Sequence, residues 1–163
     1  MEPYYWIVPR YRRWVLTIAF VVSLPLMGAL RWSEPPGGWF ALAFPPFHNQ
    51  LGVNVAMWTA TERERAFLGL GLDYVLMVIY PLLLSCACSY AAARWTRASY
   101  MRWPARTIWF AAPCDAVENA GLVAWLADPT TIGLAWTITV AAALKWLLVL
   151  AVCVLLGVAL VRR

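Results

Sequence analysis

The sequence predicts an all-α fold: an integral membrane four-helix bundle with both termini in the cytoplasm and one Pro- and aromatic-rich outer loop. Three observations lead there. Of 163 residues, 63% are hydrophobic and only 13% charged, with a mean hydropathy of +0.67. The apolar residues gather in four continuous runs, near 14–30, 67–92, 107–127 and 130–161, and a spanning helix needs about 20 such residues. A transmembrane barrel would instead alternate apolar and polar positions over ~10-residue segments. Nine arginines (Arg10, Arg12, Arg13, Arg94, Arg97, Arg102, Arg106, Arg162 and Arg163) fall on one side of a four-helix topology, and only Arg31, Arg63 and Arg65 on the other. By the positive-inside rule the arginine-rich side is cytoplasmic. The net charge of +5 thus follows the membrane, and no nucleic-acid partner is expected.

Residues 1–13 mix Tyr4, Tyr5, Trp6 and Tyr11 with arginines, a composition suited to the headgroup layer. Helix one is expected over about 14–30. Pro25 and Gly28 weaken it, but Met27-Gly28-Ala29 is a poor cleavage site, so it reads as a retained helix rather than a signal peptide. The outer loop, 31–60, is punctuated by Pro35-Pro36-Gly37-Gly38 and Pro45-Pro46, which exclude a long helix. Between them, residues 39–44 are too few to span and too apolar for water. They are expected on the outer leaflet or folded back over the bundle. His48, the one histidine, has no second histidine or nearby acid with which to hold a metal.

Helix two is expected over 61–92, with Thr61 as N-cap and Glu64 completing a capping box. At 1.5 Å per residue it spans ~46 Å, so its first turns stand above the hydrocarbon. Residues 93–106 form a basic inner loop, where four arginines with Trp95, Tyr100 and Trp103 suit anionic headgroups or ordinary interface anchoring. Helix three, 107–127, carries Asp115, Glu118 and Asn119 on one face. Pro113 just before them predicts a kink near Asp115. Ala112, Ala116, Ala120 and Ala124 form a small-residue stripe that would admit a neighbouring helix. Asp128-Pro129 reads as N-cap and first position of helix four, 129–161, making helices three and four a tight hairpin.

The four cysteines, Cys86, Cys88, Cys114 and Cys153, all fall inside predicted helices, where they read as small hydrophobes. No metal site is expected, and no cofactor is identified.

A charged group at mid-bilayer costs about 2.5–3.5 kcal/mol or more. Asp73, Asp115, Glu118 and Lys145, the one lysine, must therefore meet partners inside the bundle. Counted from the hairpin, Asp115 and Lys145 lie within about one turn of the same depth, so Lys145 should pair with Asp115 or Glu118. Tyr80 and Asn119 are their hydrogen-bonding neighbours, and Trp146 is the tryptophan nearest mid-bilayer. Three acids face one base. Two carboxylates without counter-charge are too costly in a low-dielectric site, so at least one acid is expected to be neutral. A carboxylate beside a protonated acid suits general acid–base chemistry. It equally suits a satisfied structural network. The candidate acid–base set is thus Asp115, Glu118, Asp73 and Lys145; the candidate ligand-binding set is Tyr80, Asn119 and Trp146.

Leu72-Asp73-Tyr74 with Tyr80, Asp115 with Glu118-Asn119, and Lys145 in the last helix resemble the pattern of a family of small four-helix bacterial membrane proteins. The likeness runs over roughly residues 56–150. It implies that these residues act as one unit, and that the chain resides in a bacterial inner membrane. It implies no substrate.

Three functions fit. The first is an accessory or assembly subunit, whose Trp-rich surface packs on a larger membrane complex, a second copy, or a hydrophobic ligand such as a quinone or carotenoid. The second is an intramembrane acid–base enzyme or binding protein for an isoprenoid- or sterol-like lipid. The third is a proton-coupled transporter.

Overall fold

The computed structural model describes residues 12–44, 55–94, 100–128 and 133–161. Every regular element among them is helical. In order they are α1 (Arg12–Trp32), α2 (Gly38–Ala43), α3 (Ala60–Arg94), α4 (Arg102–Thr107), α5 (Ala111–Ala127) and α6 (Leu134–Val161), with 3-10 turns at Val55–Met57 and Ile108–Phe110. Three of these helices, α1, α3 and α6, are long and apolar enough to cross a membrane. α5 and α6 pack most extensively on each other, and α3 lies against α1, α4, α5 and α6.

Expected helices one, two and four are present with shifted ends, while the third run, 107–127, gives the 17-residue α5 behind a 3-10 turn, and the inner loop expected over 93–106 contains α4. α3 starts at Ala60, and its capping box is Thr59 with Glu62, not Thr61 with Glu64. The Glu62 carboxylate accepts from the Thr59 N–H at 2.7 Å and from its hydroxyl at 2.8 Å, while the Glu62 N–H donates to Thr59 Oγ1 at 3.3 Å. Thr-x-x-Glu occurs twice in overlapping register, at 59–62 and 61–64, and the earlier copy caps the longer helix.

The irregular turn beside Pro113 lies upstream of Asp115, at Ile108–Phe110. Pro113 is the third residue of α5, in the first turn, where its missing N–H has no intrahelical partner to lose. Its ring crowds the carbonyl four residues back, at Trp109, and there the chain tightens into the 3-10 turn Ile108–Phe110.

Asp128 closes α5 rather than opening α6: it is extended, and its N–H donates to Ala124 O at 2.9 Å. α6 starts at Leu134, after Gly133 in a turn, instead of at 129. Pro129 lies outside the described residues, as do His48, Pro45-Pro46, Arg97 and the first eleven residues.

The alanine stripe is not the hairpin contact. Ala112 and Ala116 are half-buried, and Ala120 and Ala124 are exposed. Asp115, Glu118 and Asn119 must turn inward, and that rotation carries the stripe, one position round, to the outside. Close approach is made by Gly121, where an added Cβ would lie 2.7 Å from Ile138 Cγ1.

At the other end of the chain's first helix, Pro35–Gly38 forms a turn closed by Gly38 N–H to Pro35 O at 2.8 Å. Gly37, at φ 88° and ψ −10°, occupies the position that a type II turn reserves for glycine, behind Pro36. The turn sends α2 back over the C-terminal end of α5 and the N-terminal end of α6, burying Ala41, Leu42 and Ala43. Trp39 Nε1 donates to Leu30 O at 3.1 Å.

Among the described residues the interior has two larger apolar cores and a small cluster in which Cys86 meets Val15, Leu16, Leu82 and Trp109. One of the two larger cores joins Leu42, Val55, Trp58, Ala66, Leu70, Leu122, Leu126 and Ile138. The other joins Cys88, Ala91, Met101, Ala105, Ile108, Ala111, Val152 and Ala159. Asp73 on α3, Asp115 and Glu118 on α5 and Lys145 on α6 each fall, along their helix, between the members of one core and those of the other.

Candidate functional site

That intervening layer holds the polar residues. α5 supplies Asp115, Glu118 and Asn119, whose spacings of three and four place them on its inner face. They are only 1%, 4% and 1% exposed. α6 supplies Lys145, 8% exposed, and α3 supplies Asp73 and Tyr80, both half-buried.

Lys145 Nζ donates to Asp115 Oδ1 at 2.8 Å. It also stands 2.5 Å from Glu118 Oε2, an ion pair without well-formed hydrogen-bond direction. One ammonium is thus held between two carboxylates on a single turn of α5. Asn119 Nδ2 donates to Asp73 Oδ2 at 3.0 Å, tying α5 to α3. The Tyr80 hydroxyl sits beside Asp115, with Asp73 and Glu118 also near, but forms no well-directed hydrogen bond. The layer therefore links three helices, each through a charged or amide side chain.

Of the expected site residues, the structure brings Asp73, Tyr80, Asp115, Glu118, Asn119 and Lys145 together. Trp146 it places elsewhere. Its ring is 53% exposed on the outer face of α6, and Lys145 Nζ lies 5.6 Å from its centroid, within cation–π range. Trp146 thus abuts the layer from outside rather than lining it.

Two features of the interior are not visible as motifs. Thr139, on α6, is buried with its hydroxyl unpartnered; a lone threonine in an apolar run gives no signal. The buried Ser85 hydroxyl donates to the carbonyl of Ala105, fixing α4 to α3 across 20 residues of sequence. The free cysteines split: Cys86 and Cys88 are buried, Cys114 is half-buried and Cys153 exposed. Among the described residues no three His, Cys, Asp or Glu side chains are arranged to hold a metal.

Fold and site together define a helical membrane protein with a buried, ion-paired polar layer between two apolar cores. Comparison with protein-family models, curated proteins and solved structures finds no match.

Proposed function

We propose that the chain is an accessory or assembly subunit of a larger membrane complex in a bacterial inner membrane. It forms a four-helix bundle, with α5 and the turns before it as the fourth span, and both termini are cytoplasmic. The nine-to-three division of arginines supports that orientation. The likeness to small four-helix bacterial membrane proteins supports the setting.

One observation carries the subunit reading. Every charged side chain of the polar layer has its partner inside this chain, and apolar cores close it off above and below. Such a layer fixes helix register, the best-attested use of buried polar groups. It leaves the outer faces for other molecules. α1 in particular is apolar and almost wholly outside the core, showing Trp14, Ile18, Phe20, Leu24 and Met27. Lipid covers such a helix, and so does a larger protein.

The second reading is an acid–base enzyme or binding protein for an isoprenoid- or sterol-like lipid. Its support is the excess of three acids over one base, with the Tyr80 hydroxyl unpartnered beside Asp115. Extraction of the tagged chain from native membranes in mild detergent separates the two. Elution within a larger complex supports the subunit. Elution alone with a lipid in its mass spectrum supports the second reading and defeats the first.

A further inference from the structure

We draw no further inference here: the strongest candidate, the apolar groove between α1 and α3 lined by Leu16, Thr17, Phe20, Leu83, Leu84 and Ala87, is an open face of the bundle, and nothing in the structure shows what covers it.

Discussion

Replacing Lys145 with methionine tests the polar layer most directly. Methionine matches the length of the lysine stem but removes the ammonium. Asp115 and Glu118 then face each other on one turn of α5, at 1% and 4% exposure, without a counter-charge. Removing one partner of a buried ion pair costs about 3–5 kcal/mol, because the remaining charge is neither solvated nor paired. The structure adds an asymmetry. Lys145 touches both carboxylates, at 2.8 and 2.5 Å, so Asp115→Asn or Glu118→Gln alone leaves the ammonium one partner. Each should therefore cost less than Lys145→Met. Combining Lys145→Met with either neutralisation should recover about 1–3 kcal/mol of the loss, the usual coupling for residues in one network. Thermal melts in detergent of the single and double variants complete both cycles. Strictly additive losses in both would refute the pairing.

Three more outcomes follow from the packing. Gly121→Ala should lower stability by about 1–3 kcal/mol in a detergent melt, since its Cβ would press Ile138, and Ile138→Val should relieve part of it; Gly71→Ala, with nothing within 4 Å, is the control. Gly69→Ala should lift α2, because a Cβ there would lie 2.6 Å from Ser33 Oγ and 2.7 Å from Trp39 Cη2. A cysteine placed at Leu42 should then react with a water-soluble maleimide faster than the native thiols do, and no change in rate would show that α2 is held otherwise. Reporter fusions at residues 50 and 163 should lie in opposite compartments; the same compartment for both defeats the proposed topology.

The helices were legible because lipid imposes a simple rule: only helices and closed barrels satisfy every backbone hydrogen bond there, and long continuous apolar runs lack the alternation of barrel strands. The polar layer was legible for the complementary reason. Charges among apolar residues must find one another, and the single lysine left few pairings. Rotation was harder. The alanine stripe and the acid cluster both claimed the inner face of α5, and sequence spacing does not rank them. Energy does, because an exposed alanine in lipid costs little and an exposed carboxylate costs several kcal/mol. Capping register failed for a similar reason, two Thr-x-x-Glu patterns overlapping by two residues. A proline acts according to its place in the turn: behind the 3-10 turn at Ile108–Phe110, Pro113 is a first-turn residue of α5, and the sequence does not mark where that turn falls.

Asp73 distinguishes the two proposed functions more sharply than Lys145 does. It is half-buried, and the structure gives it one hydrogen bond, from the neutral amide of Asn119 at 3.0 Å. An asparagine at 73 keeps an acceptor oxygen for that amide and loses only charge. A neutral hydrogen bond contributes about 0.5–1.5 kcal/mol, so Asp73→Asn should change stability by no more than about 1 kcal/mol. Asp73→Ala should cost more, roughly 1–3 kcal/mol, because it strands the Asn119 amide, which is buried. If both variants melt alike, the Asn119 bond does not form. With stability preserved, the asparagine variant isolates charge from structure. A scaffold needs the hydrogen bond and not the charge, so a subunit bearing Asp73→Asn should still assemble into its complex. Acid–base chemistry needs the proton, which an amide cannot supply. A stable Asp73→Asn chain that assembles but fails in the cell would therefore move the conclusion from scaffold to catalyst.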